Sequence, residues 1–301
     1  PVSFSSLTIV TARTVETDSP ALRASIYEAA CCGLRDFFVK NGYKKACVGV
    51  SGGIDSAVVA CLAVAALGAE NVRGLMMPSQ FSSEGSVEDA KQLAENLGIE
   101  FHVVPITEAY RSIVDTLIPV IGGTDFDATE ENIQSRIRTL MLMALQNKNG
   151  YVLLNCSNKS ENALGICTLY GDTGGAFSVT GDLYKTEMYD LARYINRKFG
   201  APIPENILTK EPSSELRPNQ KDSDMLPSYE VVDAILYRLI EDGQSREEII
   251  NAGFDSDEVQ KIYAMVMRNE KKRFQYPPVL RLSSSSFGHE YRMPLTHKYV
   301  K

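Results

Sequence analysis

One stretch decides the fold of this chain: Val48-Gly49-Val50-Ser51-Gly52-Gly53-Ile54-Asp55-Ser56. It joins a predicted strand at 45–50 to a predicted helix at 57–67. Its glycines let backbone N–H groups approach a phosphate closely, and the helix N-terminus adds a positive dipole. Asp55 would repel a bare phosphate, but it fits beside one when Mg2+ lies between them, because Mg2+ prefers carboxylate and phosphate oxygens together. The loop is therefore predicted to bind a magnesium–pyrophosphate group.

Two other phosphate-binding loops do not fit this stretch. A Walker A loop closes with Gly-Lys-Ser/Thr, which is absent, and the chain has no Gly-x-Gly-x-x-Gly fingerprint of dinucleotide-binding folds. The run Ser51-Gly52-Gly53-Ile54-Asp55-Ser56 resembles instead the loop of the ATP pyrophosphatases, which cleave ATP between the α and β phosphates. The alternative is an ordinary glycine turn between strand and helix, which does not explain why composition and placement agree.

The composition is that of a soluble globular protein. The 301 residues are 44% hydrophobic and 23% charged, enough for one large core or two small domains. A net charge of −7 argues against a general nucleic-acid or membrane surface. The longest apolar run is shorter than the ~20 residues of a membrane span, and no signal peptide is visible. Six cysteines without a Cys-x-x-Cys pair indicate reduced thiols in a cytoplasmic protein.

Apolar runs alternate with helical patterns along the first half of the chain. After a helix at about 20–41, strands are predicted at 45–50, 72–77, 101–105 and 151–155, with helices at 57–67, 86–97, 107–117 and 129–146. Such alternation is typical of right-handed βαβ units. The predicted class is therefore α/β, a doubly wound parallel sheet with helices on both faces.

Polar residues follow the predicted strands where this fold binds ligands, past their carboxyl ends. The glycine loop follows the first strand, Ser79-Gln80 follows the second, and Asn158-Lys159-Ser160-Glu161 comes just after the fourth. The alternative to a ligand site is that loops are polar in general. That alternative explains Gln80 more easily than Glu161.

The rest of the chain is predicted to be mainly helical. Helices are expected at 186–199, 228–242, 245–252 and 256–274, and a long polar segment at 204–227 separates the first two. A loop of that length is usually functional or disordered, so we expect it to be mobile. Residues 1–18 are predicted to be a tail or linker, 19–301 a single domain, and 281–301 a polar C-terminal tail.

Further motifs make the resemblance specific. They are Asn158-Lys159-Ser160-Glu161, Thr168-Leu169-Tyr170-Gly171-Asp172, Tyr184-Lys185-Thr186-Glu187, Glu211-Pro212-Ser213-Ser214-Glu215 and Lys271-Lys272-Arg273-Phe274. With them the chain resembles the NAD synthetases, a family of the ATP pyrophosphatase type, from about residue 21 to 294. The residues of these motifs are most similar to those in the synthetase half of the glutamine-dependent enzymes. The resemblance implies a Rossmann-like fold with added C-terminal helices.

The resemblance implies an ATP-dependent amidation of deamido-NAD (nicotinate adenine dinucleotide) to NAD. The nicotinate carboxylate attacks the α-phosphate and releases pyrophosphate, and ammonia then displaces AMP. Mg2+ is the implied cofactor, and ATP, deamido-NAD and ammonia are the implied partners. A homodimer or larger homo-oligomer is also implied. The synthetase pattern takes up almost the whole chain, so it is either an ammonia-dependent enzyme or a piece of a longer chain with a glutaminase domain or subunit.

The resemblance also assigns site residues. Asp55 and Glu161 would hold Mg2+, Lys185 would meet an ATP phosphate, and these three are the predicted catalytic residues. The remaining predicted ATP contacts are Gly49, Ser51, Gly52, Gly53, Ser56, Cys156 and Ser213. The predicted deamido-NAD contacts are Arg136, Asp172, Lys271 and Lys272.

Some of these assignments have competing explanations. Arg136 and Arg138 lie about 200° apart on one helix and cannot share a face, and for Arg138 a packing or ion-pair role is as good an explanation as a functional one. The pair Lys271-Lys272 also suits a solvated helix end. The apolar stripe on the same helix as the arginines is either core or dimer interface. Its members are Ile133, Ile137, Leu140, Met141, Ala144 and Leu145.

Three residues depart from the family pattern. Cys156 stands where a threonine is common, and it cannot donate a strong hydrogen bond to ATP. Leu169 and Ala176 stand where the ammonia-dependent enzymes have a lysine and an aspartate, which fits the glutamine-dependent branch.

Two rival functions stay open. GMP and asparagine synthetases share the phosphate loop but not the motifs around Glu161 and Asp172. A regulatory nucleotide-binding module without turnover would not need Asp55, Glu161 and Lys185 together.

Overall fold

A parallel sheet lies at the centre of the computed structural model, which describes residues 20–122, 125–288 and 290–298. Its strands are β1 (Lys45–Gly49), β2 (Val72–Met76), β3 (Glu100–Val103), β4 (Tyr151–Asn155) and β5 (Phe177–Ser178). Their order is β3-β2-β1-β4-β5, so the direction of winding reverses between β1 and β4. The predicted doubly wound α/β class is confirmed. The predictions lack β5, because two residues carry no recognisable period.

Helices surround this sheet and continue beyond it. They are α1 (Pro20–Lys40), α2 (Ile54–Leu67), α3 (Glu84–Leu97), α4 (Thr107–Ile121), α5 (Ala128–Asn149), α6 (Lys159–Leu164), α7 (Lys185–Phe199), α8 (Glu205–Thr209), α9 (Tyr229–Ile240), α10 (Arg246–Asn251), α11 (Ser256–Arg268) and α12 (Glu270–Arg273). The long helices match the predictions to within a few residues. Short α6 and α8 are missing from the predictions; they have six and five residues.

Alternate residues of the strands point to two different cores. Val152 and Leu154 of β4 pack with α1, α2, α3 and α7, whereas Tyr151 and Leu153 pack with α5 on the opposite face. The period of two along a strand therefore separates two helical layers. Helices on both faces of the sheet are confirmed.

A third apolar cluster joins the C-terminal helices to α6. It contains Leu164 of α6, Ile235 of α9, Ile262 of α11 and Phe287. The helix predicted at 256–274 is interrupted at Asn269, whose side-chain amide donates to the carbonyl of Leu164 at 2.8 Å. The end of α6 is thus fixed by a residue about a hundred positions away.

Two predictions about irregular segments need correction. The segment at 204–227 contains α8, which buries Ile207, and a 3-10 turn at Asp222–Asp224. The tail predicted at 281–301 is wrong for its first part, because the backbone N–H groups of Leu282 and Ser283 both donate to Asp182 at 2.7 Å. The serine run supplies donors that the buried Asp182 carboxylate needs. The tail predicted at 1–18 lies outside the described residues.

The cysteines are free thiols, as predicted. Cys31, Cys47 and Cys61 are buried, Cys156 and Cys167 are half-buried, and Cys32 is exposed. Among the helices described, none is both long enough and apolar enough to cross a membrane.

Candidate active site

Hydrogen bonds within the loop after β1 fix its shape. The N–H of Ser51 donates to the Ser56 hydroxyl at 3.1 Å, and the N–H of Gly53 donates to the Ser51 hydroxyl at 3.2 Å. Gly52 has a φ of +78°, and a Cβ atom there would lie 2.2 Å from the carbonyl oxygen of Ser86. Gly53 caps α2 without a side-chain hydrogen bond, so the cap itself does not occupy the N–H groups of the first turn. Those N–H groups therefore have no side-chain acceptor from the cap.

Three predicted catalytic side chains meet at the reversal of the sheet. The Lys185 ammonium, at the start of α7, lies 2.6 Å from a carboxylate oxygen of Asp55 and 3.3 Å from one of Glu161. The lysine is only 4% exposed, while the two carboxylates keep 18% and 22% of their side-chain surface. All three side chains border the cleft, and the lysine is the most deeply buried of them.

Asn158 connects the two sides of this cluster. Its side-chain oxygen accepts the N–H of Glu161 at 3.0 Å and so caps α6, while its amide donates to Asp55 at 2.9 Å. One side chain thus sets the start of the helix that carries Glu161 and orients the carboxylate of Asp55.

The charges of the cluster are unbalanced. Burial first, and the nearby charge of Asp55 second, together raise the pKa of Glu161 to about 8, against the opposing effect of Lys185. Burial by itself would lower the pKa of Lys185, but Asp55 and Glu161 raise it well above its ordinary value. Two carboxylates thus share one cation, and a second cation would relieve the repulsion between them.

The donor set fits Mg2+. Asp55 and Glu161 offer hard carboxylate oxygens facing a cleft, which is the ligand type Mg2+ prefers. Within the described residues there is no cluster of three or more His, Cys, Asp or Glu side chains that could hold a metal alone. Mg2+ usually completes its shell with waters and substrate phosphates, so two carboxylates are a reasonable protein contribution.

A cavity of about 320 Å3 opens in front of these side chains. Most of the predicted ATP contacts and one predicted dinucleotide contact line it. They are Gly49, Ser51, Gly53, Asp55, Ser56, Cys156, Glu161, Asp172, Lys185 and Ser213. Gly52, another predicted ATP contact, does not line the cavity. Its backbone lies close to the Ser86 carbonyl at the start of α3.

The two arginines of α5 separate as their spacing predicts. Arg138 lines the cavity, donates to the carbonyl of Met77 at 2.9 Å, and has its pKa lowered to about 10 by burial. It therefore remains charged at neutral pH. Arg136 is exposed outside the cavity and donates to the carbonyl of Leu169 at 3.1 Å. Arg138 therefore combines the two explanations that the sequence left open, because it binds the carbonyl of Met77 and also borders the cleft.

The remaining predicted dinucleotide contacts are dispersed. Enclosure by the cleft raises the pKa of Asp172 to about 6, although its side chain stays in contact with solvent and accepts the N–H of Thr168 at 2.7 Å. Lys272 donates to the carbonyls of Gly165 and Cys167 just after α6. Lys271 is exposed and does not line the cavity.

The three departures from the family pattern have different surroundings. Cys156 lines the cavity, and burial raises the pKa of its thiol, so it stays protonated. Leu169 offers its carbonyl to Arg136. Ala176 packs against the core that contains α1 and α7.

Sequence reasoning predicted only Ser213 on one wall of the cavity. Lys210, Glu211 and Glu215 line it from the segment at 204–227. The Glu215 carboxylate accepts the hydroxyls of Ser83 and Ser86 at the start of α3, at 2.8 and 2.7 Å. Glu215 lies within a quoted motif, but no local signal tells that its partners lie about 130 residues earlier.

Comparison with protein families identifies relatives of this chain. A family model described as NAD synthase matches residues 26–276. A glutamine-dependent NAD(+) synthetase of Aquifex aeolicus is 51% identical over 284 residues, which cover 94% of this chain and 50% of that protein.

Solved structures give the same picture. The glutamine-dependent NAD+ synthetase of Acinetobacter baumannii in complex with ADP is 41% identical, with a TM-score of 0.62, and the match covers 91% of this chain and 49% of that one. An NH3-dependent NAD synthetase of Campylobacter jejuni is 30% identical, with a TM-score of 0.67, and the match covers 83% of this chain and 95% of that one. The chain thus spans about half the length of the glutamine-dependent relatives it matches.

Proposed function

The chain belongs to the NAD synthase family, and from this premise we propose that it is a ligase that converts deamido-NAD to NAD with ATP and ammonia. In the first step a nicotinate carboxylate oxygen bonds to the α-phosphorus of ATP. The bond from the α-phosphorus to the oxygen that bridges to the β-phosphate breaks, and pyrophosphate leaves. In the second step ammonia adds to the activated carbonyl, AMP leaves, and a proton is released. The observation that carries the proposal is the meeting of Asp55, Glu161 and Lys185 beside the glycine loop in one cavity.

The chain's own groups supply charge stabilisation and positioning in the first step. N–H groups of the loop and of the first turn of α2 would hold the departing pyrophosphate. Lys185 uses two of its three N–H donors on Asp55 and Glu161 and has a third for a phosphate oxygen. Charge on the leaving group is thus met by donors already in place, which is how phosphoryl-transfer sites act.

Asp55 and Glu161 would hold Mg2+ against the phosphates. When bound, the ion would neutralise charge on the phosphate oxygens. The support is the pair of cleft-facing carboxylates: burial first, and the charge of Asp55 second, raise the pKa of Glu161 to about 8.

We further propose that the two nucleotides bind on different sides of α5. Cys156 and Ser213 line the cavity and would border ATP. Arg136, together with Lys271 and Lys272, would contact deamido-NAD from outside it, and Asp172 would lie between the two ligands.

A homodimer through the outer face of α4 and α5 would suit this arrangement. Val120 is 81% exposed and Leu140 is 66% exposed, while Ile133 and Ile137 of the predicted stripe lie in the core. A second copy on this face would cover the exposed apolar side chains next to Arg136. A glutaminase domain or subunit is proposed as the physiological source of ammonia, because the glutamine-dependent relatives are about twice as long.

A panel of acceptor acids tests the proposed function. The protein is incubated with ATP, Mg2+ and ammonium plus deamido-NAD, xanthosine monophosphate or aspartate, and AMP and pyrophosphate are measured. Of the three acids, we expect only deamido-NAD to give AMP and pyrophosphate, and in equal amounts. Products with another acid instead would favour a different ATP pyrophosphatase, and ATP binding without products would favour a regulatory module.

A further inference from the structure

We propose that Asp233 is a positioning residue that holds Glu161 and Lys185 side by side by binding the first turns of α6 and α7 at once. The proposal rests on the proposed function, because it concerns the same site. Asp233 belongs to α9 and is 2% exposed, and it does not line the cavity in front of the catalytic side chains.

The contacts form a three-part clamp made of Asp233, Ser160 and the start of α7. One oxygen of Asp233 accepts the N–H of Thr186 at 2.8 Å, and the other accepts the hydroxyl of Ser160. The same hydroxyl oxygen of Ser160 accepts the N–H of Lys185 at 2.9 Å. Two orphan donors in the first turn of α7 are therefore satisfied by α6 and α9, not by α7 itself.

The clamp fixes the spacing on which the site depends. Ser160 directly precedes Glu161 on α6, and Lys185 is the first residue of α7. The ammonium of Lys185 lies 3.3 Å from Glu161, so a shift of about 1 Å between the helices would break that contact, and shifts of this size can reduce turnover by about 100-fold. No covalent link or continuous element joins the two helices at this point, and the segment between them includes only the short strand β5.

The charge of Asp233 is required because both of its partners donate. An asparagine keeps the size but offers one acceptor atom and one donor atom. Either the N–H of Thr186 loses its acceptor, or the hydroxyl of Ser160 must turn its proton away from position 233. A buried donor left without a partner is costly, so the two helix starts should separate.

The test uses Asp233→Asn, Ser160→Ala and the double variant in the full chain. Ile262→Val serves as the control, because Ile262 is buried in the same C-terminal cluster but takes part in none of the hydrogen bonds of the clamp. Two quantities are measured well below the melting temperature: the Mg2+ concentration at half-maximal ATP binding by titration calorimetry, and kcat for NAD formation from ammonium at saturating substrates.

We expect each clamp variant to raise the half-saturating Mg2+ concentration and to lower kcat, each by about tenfold or more. The double variant should resemble the more affected single variant, because both residues act in one hydrogen-bonded unit. Ile262→Val should leave both quantities within twofold of the unsubstituted protein, even if its melting temperature falls as far as that of the clamp variants.

Clamp variants that match the control in both quantities would overturn the proposal and leave Asp233 as a structural cap. If the unsubstituted protein binds Mg-ATP but makes no NAD, the proposed function fails, and the shift in Mg2+ dependence still decides the clamp. If the unsubstituted protein binds no ATP at any Mg2+ concentration, both proposals are wrong.

Discussion

The proposed phosphate end of the cleft and the proposed dinucleotide contacts outside it, called the dinucleotide end below, are built in opposite ways. At the phosphate end, the Lys185 ammonium lies within 3.3 Å of the carboxylates of both Asp55 and Glu161, at the reversal of a rigid sheet. At the dinucleotide end, Arg136 and Lys271 are exposed side chains on separate elements. The difference indicates that the charged groups of the first region are already in contact, whereas we propose that the second is completed by the substrate, by another copy or by movement of the segment at 204–227.

The largest effects are expected at the phosphate end. Asp55→Asn and Glu161→Gln keep the size of each side chain and remove the charge that would hold Mg2+. We expect both variants to fold and to lose about 100-fold or more in kcat at saturating Mg2+. The measurement is AMP release dependent on deamido-NAD.

Glu88→Gln is the matched control, because Glu88 is an exposed carboxylate on α3 with only a 3.8 Å contact to Lys91. It should retain full turnover. Full turnover in Asp55→Asn or Glu161→Gln would show that these carboxylates do not hold an essential Mg2+. It would also contradict the proposed difference between the two ends.

A second test separates steric demand from backbone strain in the phosphate loop. Gly52→Ala would place a Cβ atom 2.2 Å from the backbone of Ser86, whereas Gly98→Ala has a similarly positive φ and open space around it. We expect Gly98→Ala to cost about 1–2 kcal/mol of stability and to keep its activity. Gly52→Ala should cost more and also lose ATP affinity, because α3 or the loop must move.

Denaturant unfolding and ATP titration of the two alanine variants check this expectation. Equal losses of stability with unchanged ATP binding in both would mean that the close approach to Ser86 is dispensable.

The arginines of α5 test the contrast within a single helix. Arg136→Ala should raise the KM for deamido-NAD by about tenfold or more and leave the KM for ATP unchanged, since a charged hydrogen bond on the outer face is lost. Arg138→Ala should instead lower thermal stability and raise the KM for ATP, because Arg138 borders the cavity and binds the carbonyl of Met77. The measurement is steady-state kinetics with each substrate varied in turn. A higher KM for ATP in Arg136→Ala and a higher KM for deamido-NAD in Arg138→Ala would exchange the two assignments.

The smallest effect concerns the segment at 204–227. We expect proteolysis within it to slow when ATP and deamido-NAD are both present, because its residues line the cavity and can order over bound ligands. Cutting in the short connection at 242–244 serves as the internal control. Glu215→Gln should speed cutting of the ligand-free protein, because it weakens the contacts to Ser83 and Ser86. An unchanged cutting rate at saturating ligands would identify a plain surface loop.

The sequence predicts the phosphate end well for a physical reason. The glycine loop needs a strand before it, a helix after it and a residue with positive φ inside it, and all three requirements fall within about twenty residues of chain. A parallel sheet brings the ends of β1 and β4 to one edge, so the sequence predicts that Glu161 and Asp55 reach the same edge, and the resemblance to the NAD synthetases supplies their pairing.

The parts that escaped prediction depend on distant partners. Asp233 looks like an ordinary polar position of a helix, and its importance arises only from α6 and α7. The serine run at 283–286 looks like a mobile tail, yet it satisfies a buried carboxylate at Asp182. Contacts of this kind leave no local period or composition in the sequence.

The central claim is that this chain carries the amidation of deamido-NAD at the Asp55, Glu161 and Lys185 site. Paired assays at equal protein, with ammonium or with ammonia-free glutamine as nitrogen donor, test it most directly. None of the described cysteines is paired with a base suited to glutamine hydrolysis, and burial raises the pKa of the half-buried and buried thiols, Cys31, Cys47, Cys61, Cys156 and Cys167. We predict NAD formation from ammonium and none from glutamine. Absence of NAD with ammonium would contradict the claim, and comparable rates from both donors would require a glutaminase site in this chain.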